Sequence, residues 1–135
     1  MKHSLPPLRG QYPKNQKEAD ETRQALQQLT APANKSWIAQ RAVKILAHYF
    51  VAEMHPEILK SISEDWNREL AGYPEWAIEE ACRWWLSQHN KKRRQKPMPG
   101  DISEVAQRSM GMTKLAERLV DAYDKHGPTP PSYMQ

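Results

Sequence analysis

The chain has 135 residues, a net charge of +4 and one cysteine, Cys82. That length suits one compact domain with a modest core; a single cysteine excludes an intrachain disulfide, and no apolar run reaches membrane-spanning length. The charge is uneven: "KKRRQK" at 91–96 carries five cations, whereas 36–90 and 97–135 are each net acidic, so any contact with a polyanion is local rather than spread over the surface.

Taken in chain order, the pattern is helical throughout, with almost no strand signal: glycine is scarce, hairpin dipeptides are absent and nothing alternates with period two. Pro and polar residues crowd 1–14, which is expected to be a poorly ordered tail. A first helix is predicted from about Lys14 to Leu29, opened by the capping-box spacing of Asn15 and Glu18. Its apolar stripe is thin, made of Ala19, Ala25, Leu26 and Leu29. A helix this polar buries little area alone. It reads either as a loosely docked helix or as a seam for a partner or a second copy of the chain, with Ala19, Leu26 and Leu29 as the contact residues.

"TAPANKS" is a linker, with Ser36 as the expected cap of a second, core helix over about Trp37–Met54. Ile38, Ala42, Ile45, Leu46, Tyr49 and Phe50 share its face, and His48 beside them is expected to be half-buried. Pro56 opens a third helix to about Ala71, with Leu59, Ile62, Trp66 and Leu70 as its stripe and Gly72 as a left-handed stop. Pro74 opens a fourth, rich in Trp and Ala, and the 91–96 run follows its C-terminal end, where cations oppose the helix dipole. Asp101 and Glu104 have capping-box spacing for a fifth helix. Gly111 is expected to interrupt it and Thr113 could cap a sixth, so that 101–110 and 113–126 form two segments or one bent helix, with Leu115, Leu119, Val120 and Tyr123 inward. The prediction is an all-α bundle of five to six helices: a flexible tail with a polar partner-binding helix over 1–35, a helical core over 36–126 and a disordered tail over 127–135.

Catalysis finds little support. The five histidines form no His-x3-His pair, there is no Cys-x2-Cys, no Gly-rich phosphate cradle, and Glu79 and Glu80 are adjacent and diverge on a helix. No catalytic residue, metal site or cofactor is assigned. Cys82 lies on an apolar helix face with no neighbouring base and reads as core.

Two features carry functional weight. Trp84 and Trp85 are about 100° apart around a helix, so one ring is exposed unless the helix is covered on two sides; Trp84 is the candidate, as a base-stacking or partner-anchoring ring. Lys91, Lys92, Arg93, Arg94 and Lys96 repel one another at close quarters and would be relieved by phosphate or an acidic surface. No recognition helix or RNA-binding sheet signature accompanies them, so the run points to a polyanion without sequence readout.

The stretch "DWNRELAGYPEWAIEEACRWWLSQHNKKRRQKPMPGDISEVAQ" resembles small phage and prophage replication proteins of the helicase loader or inhibitor type. The shared outline is Trp66, Leu70 and Tyr73, then a helix with Trp76, Ala77, Ala81 and Trp85, then the Pro97-to-Ile102 turn. The resemblance implies an all-helical, non-catalytic adaptor that binds a hexameric replicative helicase and assists or inhibits its loading on single-stranded DNA. Family members often keep a helicase-binding segment at the C-terminus; here the last residues are "GPTPPSYMQ" and the long polar segment is N-terminal, which leaves open which end meets the helicase. The alternatives are a small nucleic-acid-binding regulatory protein and a phage-encoded inhibitor of a host nucleic-acid enzyme. A cytoplasmic, membrane-free location fits the lone cysteine and the lack of a signal-type apolar stretch in "MKHSLPPLRG"; a homodimer is one possible state.

Overall fold

The computed structural model describes residues 6, 8–49 and 55–135. Among them there are six α-helices and one short 3₁₀ turn, and no strand: α1 Gln16–Leu29, α2 Lys35–Leu46, α3 Pro56–Leu70, α4 Glu75–Leu86, α5 Pro99–Ser109, α6 Gly111–His126 and the 3₁₀ turn Ser132–Met134. The all-α class therefore holds. No helix of the described residues is long and apolar enough to cross a membrane.

The chain folds as two compact units, one of residues up to Ala31 with Met110–Gln135, the other Pro32–Ser109. This differs from the expected division: α6 belongs with α1, not with the 36–126 core. The cause lies in the apolar stripes. α1 offers Ala19, Thr22, Ala25, Leu26 and Leu29, and α6 offers Thr113, Ala116, Val120, Ala122 and Tyr123, all buried. Each stripe is too thin to stabilise a helix alone, and pairing covers both.

In the first unit α1 starts as the sequence predicts: the Asn15 side chain accepts from the Glu18 N–H at 2.9 Å. Glu18 in turn accepts the Lys14 N–H at 3.1 Å and pairs with Arg9 at 2.8 Å, and these donors hold its carboxyl below the usual range, the backbone N–H first. Residues 8–14 are no free tail: Pro13 is buried, and the Tyr12 hydroxyl donates to the Gly127 carbonyl at 2.6 Å while its ring packs 6.0 Å from that of Tyr123. Arg23 reaches both oxygens of Asp124, at 2.7 and 2.8 Å. Residues 1–5 of the expected tail lie outside the described residues. Thr113 does not cap α6. The helix breaks at Met110, and the Thr113 hydroxyl, buried in the first turn, donates back to the Met110 carbonyl at 2.6 Å. Leu115, expected inward, is 36% exposed because Ala116 takes the facing position.

In the second unit the cap of α2 is Asn34, which accepts the Trp37 N–H at 2.8 Å, and not Ser36. Two good capping side chains stand two residues apart, and the first to reach a free N–H sets the start. α2 ends at Leu46 and runs into tight turns at His48 and Tyr49, which leaves His48 exposed. The expected extension through Phe50 to Met54 lies outside the described residues. α3 opens on Pro56 and stops at Gly72 with φ +96°, as predicted. Trp66 and Leu70 of its stripe are buried; Leu59 and Ile62 are only partly covered. α5 begins earlier than expected, at Pro99. Asp101 acts from inside the first turn, its Oδ2 accepting the Met98 N–H at 2.8 Å. Pro99 has no N–H to satisfy and suits the first helical position, which moves the start two residues back.

The core of this unit is Ile38, Ala42, Ile45, Trp66, Leu70, Ala77, Ile78, Ala81, Cys82, Trp85, Ile102 and Ala106. Each large aliphatic side chain withdrawn from water contributes about 1.5–3 kcal/mol before its entropy cost. Arg41 of α2 pairs with Glu79 of α4 at 2.9 Å, and Ser103 of α5 donates to Glu69 of α3 at 2.9 Å. α5 thus starts beside the end of α3 and finishes with Arg108 over Trp84, in the last turn of α4. The 87–98 connector must travel back between those two points, and it is this connector that carries the cations.

Candidate polyanion interface

The stripe of α4 decides which tryptophan is free. Ala77, Ile78, Ala81, Cys82 and Trp85 recur at helical spacing and are buried, Trp85 at 6% exposure. Trp84 falls about 100° away and keeps 36% of its surface exposed. Its ring carries the Arg108 guanidinium 5.6 Å from the centroid, within cation–π range.

Beyond Trp85 the backbone is tied down at nearly every step. The Ser87 N–H and hydroxyl both donate to the Trp84 carbonyl, at 3.0 and 2.7 Å. Asn90, only 4% exposed, donates its amide to the Trp85 carbonyl at 2.8 Å and accepts the Lys92 N–H at 3.0 Å. The Arg93 N–H donates to the Asn90 carbonyl, and the Gln95 N–H to that of Lys92. Two aromatic side chains clasp the far side: the Trp85 indole N–H donates to the Gln95 carbonyl at 3.0 Å, and the Tyr49 hydroxyl donates to the Arg93 carbonyl. Pro97 is fully buried and ends the turn.

Near the end of α4 the Trp84 and Trp85 carbonyls accept from Ser87 and Asn90, so the cations are not needed as their hydrogen-bond donors. All five cationic side chains, at Lys91, Lys92, Arg93, Arg94 and Lys96, are exposed. Among the described residues, no carboxylate lies within ion-pair distance of Lys91, Lys92, Arg93 or Arg94. The result is a preorganised cationic turn. Its backbone order is already established, so an anion arriving there has only the cationic side chains left to order.

The other predicted contact residues do not gather here. Ala19, Leu26 and Leu29 are buried, at 0%, 8% and 4% exposure. The seam expected to meet a partner is taken up by the chain's own packing, since α1 pairs with α6. In turn, Tyr49, Asn90 and Arg108 belong to the site and had no local signal beyond the position of Asn90 just past a helix end.

Nothing described resembles an active centre. No three His, Cys, Asp or Glu side chains converge among the described residues. Burial pushes the Cys82 thiol up to about 11, far from a nucleophile's range. Two shallow clefts, of about 290 and 480 Å³, are lined by Arg9, Glu21 and Gln28 and by Lys35, Glu64 and Asn67, and neither contains a histidine. Comparison with protein-family models, with characterised proteins and with solved structures returned no match.

Asn90 is the keystone of the turn. Asn90→Ala is expected to leave the Trp85 carbonyl and the Lys92 N–H without their partners, at a cost of about 1–3 kcal/mol in stability. Thermal melting and amide exchange across 91–95 check this; unchanged exchange there would show the turn is held without Asn90.

Proposed function

We propose that this chain is a non-catalytic adaptor of DNA replication that holds nucleic acid through the 91–96 turn while binding a replicative helicase. The observation that carries the nucleic-acid part is the turn itself: clustered, exposed cations on a backbone tied by Asn90, Trp85 and Tyr49, with no carboxylate partner among the described residues at Lys91, Lys92, Arg93 and Arg94. Residues 36–90 and 97–135 are each net acidic, so five cations on the tied turn between them suit a local phosphate contact. The helicase part rests on the resemblance of residues 65–107 to loader and inhibitor proteins. The contact with the helicase falls on surfaces other than Ala19, Leu26 and Leu29, which are buried. An adaptor of this kind acts by binding the closed and the DNA-accepting helicase rings with different affinity.

The test has two arms. Anisotropy of a labelled single-stranded oligonucleotide between about 50 and 300 mM salt is expected to give a log–log slope of about −2 to −3.5, from three to five phosphate contacts at about 0.7 each on single strands. Absence of binding at the low-salt end removes the nucleic-acid part. Co-elution of the intact protein with a hexameric replicative helicase checks the adaptor part, and separate elution at micromolar concentrations removes it.

A further inference from the structure

We propose that Trp84, with Arg108 laid over it, is a stacking platform for an unpaired nucleobase, so that the site takes single-stranded nucleic acid in preference to a duplex or a featureless polyanion. This rests on the reading of the 91–96 turn as a phosphate contact and adds what the same site does with bases.

Three observations place the platform. First, Trp84 is the exposed member of its pair, at 36% against 6% for Trp85 and 3% for Trp66. Second, the ring has a cationic partner. Arg108 lies 5.6 Å from its centroid, and among the described residues no carboxylate pairs with that guanidinium. The guanidinium plane offers a second stacking surface or a phosphate donor. Third, the ring and the cations belong to one tied segment. The Ser87 hydroxyl donates to Trp84's own carbonyl at 2.7 Å, and the Asn90 amide to the next carbonyl, so the connector that carries the cations is fastened to the residues that carry the ring.

Glu80 lies one turn before Trp84 on α4, and Glu104 one turn before Arg108 on α5; both are exposed, so a phosphate chain at the ring is repelled there and attracted by the cations of 91–96. In a duplex the bases are stacked on one another and cannot reach the ring without unpairing, whereas a single strand offers its bases freely.

The decisive comparison is between two strands of equal length and charge, one bearing bases and one abasic throughout, with a duplex as third ligand and poly-glutamate as an acidic-protein mimic. The full chain is expected to bind the base-bearing strand about 10-fold more tightly than the abasic one at equal salt, with partial quenching of tryptophan emission. Trp84→Leu, which keeps an apolar side chain of comparable reach without a π-face, is expected to level the two strands and keep the salt slope, while Trp84→Phe keeps part of the preference. Equal binding of both strands by the wild type, with a normal salt slope, overturns the platform and leaves the phosphate reading standing. Preference retained in Trp84→Leu overturns it too, as does poly-glutamate or duplex binding as tight as the base-bearing strand. Failure of every ligand to bind at low salt brings down the phosphate reading and the platform with it.

Discussion

Alanine at Lys91, Lys92, Arg93, Arg94 and Lys96 together is expected to weaken single-strand binding at least about 100-fold at about 50 mM salt and to flatten its salt dependence almost to zero. The magnitude follows from counterion release. Each phosphate contact contributes about 0.7 to the log–log slope on a single strand, so losing several removes most of the electrostatic affinity at low salt. A 100-fold loss corresponds to about 2.7 kcal/mol. The fold should not suffer, which makes the result interpretable. The turn is built from backbone groups, Asn90, Trp85 and Tyr49, and among the described residues the one hydrogen bond from the side chains of Lys91, Lys92, Arg93 or Arg94 runs from Arg93 to the Asn90 carbonyl at 3.3 Å. Surface changes of this sort usually move stability by less than about 0.5 kcal/mol, and relief of mutual repulsion offsets the lost contact. Wild-type binding kept in the variant with an unaltered melting curve would show that the turn holds no phosphate.

Ile78→Ala carries the largest expected effect on stability. Ile78 is fully buried in the first turn of α4, the helix that presents both Trp84 and the turn. Its truncation removes transfer energy and leaves a cavity that rigid neighbours fill only in part, at a cost of about 2–5 kcal/mol. That is a large share of the stability of an ordinary domain and corresponds to a fall of about 10 °C or more in Tm. The readout is unusually clean. Trp37, Trp66, Trp76, Trp84 and Trp85 all lie within Pro32–Ser109, so tryptophan emission reports that unit and not the α1–α6 pair. A loss below about 1 kcal/mol by this probe would mean that α4 is not the packed centre described above.

These two results bear on different links of one chain of causes. Ile78 tests whether the helix that carries the site is anchored, and the cations test what the anchored site holds. Between them stands Asn90, which converts the end of α4 into a turn of defined shape.

Local chemistry determined the helices and the two features of the site. Asn15, Pro56, Gly72 and Pro74 mark helix ends because caps, proline rings and a positive φ act within a few residues of themselves. The cation run and the Trp84–Trp85 pair are likewise visible in the bare chain, as is the rule that adjacent residues on a helix cannot share a face. What only the tertiary structure decided is everything that depends on distant residues meeting. Trp84 is outside and Trp85 inside because α5 and the 87–98 connector arrive on particular sides of α4. The turn is rigid because Tyr49, far back in the chain, reaches the Arg93 carbonyl. Ala19, Leu26 and Leu29 look like a vacant seam in sequence and are covered in the fold, because α6 brings a matching thin stripe. A periodic pattern states which face of a helix must leave water; it carries no information on which other face will cover it.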